Sequence, residues 1–134
     1  MSYQDDFKIG FDYTYETVKR KYSDAKYPCY GGRYYWFLYM RRFQSAYFYL
    51  TSSSLIYTTN CIDVVEVPFS SIKKISIKQG KIFKSSYTVR IVADKKYHFI
   101  INIIKDFSTV LTGDGATNVK SFIDTLLRLK VIYN

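Results

Sequence analysis

The 134 residues carry 20 Lys and Arg against 11 Asp and Glu, a net charge of +9, and include 15 Tyr and 10 Phe. With 48% hydrophobic and 23% charged residues the chain is not disordered as a whole, and its length suits one domain around one core. No apolar run approaches the ~18 residues of a spanning helix, and the acidic start lacks the apolar stretch of an export signal. A cytoplasmic setting is therefore expected, with Cys29 and Cys61 as reduced thiols.

In residues 1–31, Phe11, Tyr15, Val18 and Tyr22 make a stripe at helical spacing. Asp12 or Thr14 is the expected N-cap and Pro28 the stop. Gly31-Gly32 breaks the chain, so 1–31 reads as an N-terminal extension holding a short helix and 32–134 as the main domain.

From Arg33 onward the pattern is strand after strand. Residues 33–43 favour β structure, aromatic at nearly every position, and end in Arg41-Arg42. A short turn at Phe43-Gln44-Ser45 leads to residues 46–51, where Ala46, Phe48 and Leu50 alternate with Tyr47, Tyr49 and Thr51. Ser52-Ser53-Ser54 is a turn and residues 55–59 the return strand. Further strands are expected at 64–67, closed by Pro68, and at 72–78, where Ile75 and Ile77 oppose Lys74, Ser76 and Lys78 before a turn or bulge at Gly80. Residues 87–93 and 97–104 pair across the Asp94-Lys95-Lys96 turn, with Phe99, Ile101 and Ile103 inward.

Thr112-Gly113-Asp114-Gly115 then has turn chemistry. Thr117 or Asn118 is the expected N-cap of a helix carrying Val119, Phe122, Ile123, Leu126 and Leu127 on one face, with Lys130 following. The fold class is thus mainly β with one C-terminal α-helix: an antiparallel sheet of six to seven strands, curled or closed into a barrel and capped by that helix.

The catalytic inventory is thin. His98 is the single histidine and has no nucleophile or acid at readable spacing, so it reads as a strand residue rather than a general base. Cys29, Cys61 and His98 lack the paired spacing of a closed zinc site. Gly113-Asp114-Gly115 is a weak phosphate-cradle signal, and no Walker, nucleophile-elbow or dinucleotide motif occurs. The expectation is a protein without catalytic residues, metal or cofactor.

Three segments together resemble the pleckstrin-homology-like (PH-like) family, in its GRAM and bacterial branch. They are Tyr47-Phe48-Tyr49-Leu50-Thr51 through Leu55-Ile56-Tyr57, Val67-Pro68-Phe69-Ser70-Ser71-Ile72-Lys73-Lys74-Ile75, and the closing hairpin from Tyr87 to Ile103. The resemblance spans about residues 32–131 and implies a binding or adaptor module. Inositol-lipid-binding members carry a lysine-rich motif on the first strand and its long following loop. This chain offers only Arg41 and Arg42 before a short turn, which argues against specific inositol-phosphate recognition.

Charge distribution sharpens the expectation. Residues 67–105 hold nine cations against Asp94 alone, whereas 12 of the 15 tyrosines fall at or before Tyr57. The candidate anion-binding residues are Arg41, Arg42, Lys73, Lys74, Lys78, Lys81, Lys84, Lys95 and Lys96. They would dock the domain on an anionic phospholipid surface, placing it at the membrane periphery, or on an acidic protein. A lysine-rich face that serves solubility alone is the plainer alternative. A second functional reading is a small β-barrel for single-stranded nucleic acid, with Tyr34, Tyr35, Tyr47 or Tyr49 stacking on bases and lysines following phosphates.

Overall fold

The computed structural model describes residues 3–60, 63–81, 86–102 and 114–133. Helix α1 (Tyr3–Lys21) precedes four strands, β1 (Lys26–Phe37), β2 (Met40–Leu50), β3 (Ser54–Thr58) and β4 (Val64–Pro68). After a 3-10 turn at Phe69–Ser71 come β5 (Lys74–Gln79), β6 (Tyr87–Val92), β7 (Lys96–Ile101) and helix α2 (Asp114–Tyr133). The strands form one seven-stranded antiparallel sheet in the order β4-β3-β2-β1-β7-β6-β5, curled into a half-barrel. This is the expected fold class, mainly β with a C-terminal helix.

Alternation assigns the two faces of the sheet. Phe48, Leu55, Ile75, Val89, Ile91, Phe99 and Ile101 point into the curl and are buried there with Val119, Phe122, Ile123 and Leu126 of α2. Each such side chain contributes roughly 1.5–3 kcal/mol by leaving water. The Phe122 ring meets Phe48 edge-on at 6.5 Å. Leu127, expected on the buried stripe, is 42% exposed. At about 100° per residue it falls beside the stripe, and Leu129 takes the flanking place against the core.

The outer face has its own cover over one half. Val18 of α1 and Ala25 pack on Tyr49 of β2 and Ile56 of β3, with Tyr15, Tyr22, Tyr47 and Val64 around them. Tyr15 stacks on Tyr49 at 5.6 Å and its hydroxyl donates to the Ala25 carbonyl at 3.2 Å. Asp24, in the α1–β1 connection, accepts from the Ser52 backbone N–H and hydroxyl at 2.9 and 2.7 Å, tying that connection to the β2–β3 turn.

Several expected boundaries move. The first helix begins at Tyr3, so Asp12 and Thr14 are interior residues rather than caps, and Thr14 donates its hydroxyl to the Gly10 carbonyl at 2.8 Å. Gly31-Gly32 does not break the chain: β1 runs through it from Lys26. The glycines instead permit close approach, because a Cβ at Gly31 would meet the Ile100 carbonyl oxygen and one at Gly32 the Phe43 ring. The last helix begins at Asp114, ahead of the caps expected at Thr117 and Asn118. Gly113, Ile103 and the rest of the preceding connection lie outside the described residues, as does Cys61. Cys29 is free and buried in the core, where desolvation pushes its thiol pKa well up.

Candidate functional site

The largest departure from the sequence reading lies between β1 and β2. The chain reverses at Leu38-Tyr39, so Phe43-Gln44-Ser45 is interior to β2 and Arg41-Arg42 follow Met40 at the start of that strand. Nothing at 38–39 has turn chemistry. Leu38 and Tyr39 adopt φ of 51° and 63°, the left-handed pair that a two-residue hairpin requires and that Asn-Gly normally supplies. Holding bulky side chains there costs on the order of 1–3 kcal/mol per residue.

This hairpin projects from the sheet. β7 pairs with β1 only from Gly31 to Tyr34, and β3 pairs with β2 only from Tyr47 to Leu50. Residues 35–42 are thus a two-stranded arm with neither neighbour. Its tip is apolar and uncovered: Trp36 is 73% exposed, Leu38 72% and Tyr39 100%, with Phe37 and Met40 also exposed. Arg33, Arg41 and Arg42 flank it, and no acid occurs between Asp24 and Asp63. The Arg41 guanidinium sits 4.3 Å from the Tyr34 ring centroid, and Arg33 lies 4.7 Å from that of Tyr35 while donating to Gln44 Oε1 at 3.0 Å.

Beside the arm, the outer face of β1, β7, β6 and β5 is not covered by α1. Cross-strand pairing lines up Ser76, Arg90, His98, Tyr34 and Phe43 in one row. Lys78, Thr88, Ile100, Gly32 and Ser45 form the next. Along these two rows lies a depression of about 410 Å³, lined by Tyr34, Arg41, Ser76, Lys78, Thr88, Arg90, His98 and Ile100. Among the described residues no carboxylate lines it. His98 packs against Tyr34 at 4.8 Å, and its pKa is lowered from 6.5 by burial first, then by the charges of Arg90 and Arg41. Among the described residues the imidazole has only cationic or neutral neighbours in the depression, an arrangement that attracts anions.

The candidate cations divide accordingly. Arg41 and Lys78 line the depression, and Lys74 and Lys96 share a third row with Val92 on the same face. Arg42 alternates to the opposite side of the arm, 3.8 Å from Met40 Sδ. Lys73 precedes β5, its N–H bonded to the Val92 carbonyl, and Lys95 lies in the β6–β7 turn with its ammonium 5.4 Å from the Tyr97 ring. Lys81 is exposed beyond β5, and Lys84 lies outside the described residues. Sequence reasoning missed Arg90, and it dismissed His98 for want of catalytic companions. Arg90 was readable as the outward residue between Val89 and Ile91, but that it lines one depression with Arg41 needed the register.

The four tyrosines do not share one surface. Tyr49 is buried and Tyr47 half-buried beneath α1, whereas Tyr34 and Tyr35 stand on opposite faces of β1. Among the described residues no three of His, Cys, Asp and Glu come together as a metal-binding group, and no helix is long and apolar enough to cross a membrane. Comparison with protein-family models, curated proteins and solved structures finds no match.

Proposed function

We propose that this chain is a non-catalytic PH-like binding module that docks on an anionic membrane surface through the β1–β2 arm and the adjoining basic face. The PH-like part of the reading is supported by the antiparallel meander, its curl and the closing C-terminal helix, which are the features the sequence resemblance implies. The observation that carries the function is the arm itself: a strained turn spends stability to present Trp36, Leu38 and Tyr39 to solvent between arginines. Trp and Tyr are the side chains that settle at a bilayer interface, and cations near an anionic leaflet contribute about 1 kcal/mol each. An exposed apolar cluster of this kind otherwise promotes aggregation.

Separation of Tyr47 and Tyr49 from the basic face argues against a base-stacking platform for nucleic acid. An acidic protein is the competing partner, and flotation separates the two. The module should float with phosphatidylserine vesicles in the absence of any other protein and remain behind with phosphatidylcholine vesicles. Changing Trp36, Leu38 and Tyr39 together to Ser should abolish flotation without lowering the melting temperature. Wild-type protein that fails to float at low salt would overturn the membrane reading.

A further inference from the structure

We infer that the depression on the open face is a binding site for a phosphomonoester, the group being held by Arg41, Lys78 and Arg90. The inference deepens the docking reading, because the site adjoins the arm, but it requires no membrane for its test. Three strands contribute one cation each: Arg41 from β2, Lys78 from β5 and Arg90 from β6. All three are exposed, and cations that line one depression with no carboxylate among the described lining residues repel one another, a repulsion that a bound anion relieves.

The remaining lining supplies what a tetrahedral dianion needs. Ser76 and Thr88 present hydroxyl donors from β5 and β6, and guanidinium groups form paired hydrogen bonds to phosphate oxygens. A phosphomonoester carries close to two charges and three acceptor oxygens near neutral pH, matching three cations better than a single carboxylate does. The volume of about 410 Å³ exceeds that of the phosphate group alone, leaving room for its organic substituent against Ile100 and the Tyr34 ring. The ester could be a lipid headgroup or a soluble metabolite. Both sources share the same chemistry.

Titration of the full chain with glycerol 3-phosphate, followed by backbone NMR shifts at constant ionic strength, tests the site. Saturable shifts should centre on Ser76, Thr88, Arg90 and His98, and Lys78→Gln with Arg90→Gln should weaken binding at least tenfold at an unchanged melting temperature. Shifts that never saturate, that match those produced by chloride, or that survive the double change would overturn the inference. The triple Ser change at the tip should leave this titration intact. Wild-type protein that titrates saturably but does not float with phosphatidylserine vesicles counts against the membrane reading alone, and wild-type flotation without saturable titration counts against the pocket alone. Stronger flotation with phosphatidic acid than with phosphatidylserine at equal surface charge assigns the ester to the lipid. Equal flotation beside a saturable titration assigns it to a soluble ligand, and both results support the site.

Discussion

The two halves of the outer sheet face make opposite use of similar residues. On β2 and β3, Tyr47, Tyr49 and Ile56 are roofed by α1, and the aromatic rings stack or meet edge-on beneath it. On β1, β7, β6 and β5, no helix among the described residues lies above Tyr34, His98 and Ile100, and Arg41, Arg90 and Lys78 line the same depression. One sheet therefore has a half whose outward residues are chosen for packing and a half whose outward residues are not. The proposed docking face rests on this contrast more than on the overall charge, since cations on an open sheet face add nothing to the core.

The sharpest way to break this comparison is to truncate one residue in each half. Ile56→Ala should destabilise the fold by about 2–5 kcal/mol, as for a buried aliphatic side chain beneath a fixed cover. A loss below about 1 kcal/mol in urea unfolding would mean that α1 is not a firm roof. Next in size is the turn. Replacing Leu38 by Asn and Tyr39 by Gly supplies the residues that the left-handed pair favours, and should stabilise the protein by about 1–2 kcal/mol while weakening vesicle binding. Unchanged stability would show that the turn holds no strain.

On the open half, Lys78→Gln with Arg90→Gln should leave stability within about 0.5 kcal/mol of wild type, because neither group packs a core. The smallest effect concerns His98. Its folded pKa lies below the unfolded value of 6.5, so the unfolded chain takes up the proton first. The neutral imidazole's contribution is fully present above pH 6.5 and is lost as pH falls through that value toward the folded pKa. His98→Gln should accordingly show a shallower stability loss below pH 6.5 than wild type. Burial of the ring is the main cause, followed by the charges of Arg90 and Arg41, with Tyr34 packed on the ring and Lys78 also lining the depression. Parallel pH profiles would remove electrostatics from the account of this site.

The strands from β3 onward were legible because alternation and punctuation agree. Ser52-Ser53-Ser54, Pro68 and Asp94-Lys95 each bound a run whose inward residues recur at every second position. The arm was not legible, because Leu38 and Tyr39 are the wrong residues for a reversal, and a continuous aromatic run reads as one long strand. Gly31-Gly32 misled for the converse reason: its glycines answer to neighbouring strands rather than to a bend. The candidate cations Arg41 and Lys78 were visible individually. Their convergence with Arg90 and His98 depends on the pairing of β5, β6, β7 and β1, which local sequence does not encode.

Trp36 is the single tryptophan of the chain and stands at the exposed arm, so its fluorescence tests the proposed docking directly. On addition of phosphatidylserine vesicles at low salt, its emission should shift to the blue and be quenched by lipids brominated near the headgroup end of the acyl chain. Phosphatidylcholine vesicles should produce neither change. Emission that stays at the wavelength of exposed tryptophan with both vesicle types would contradict the account.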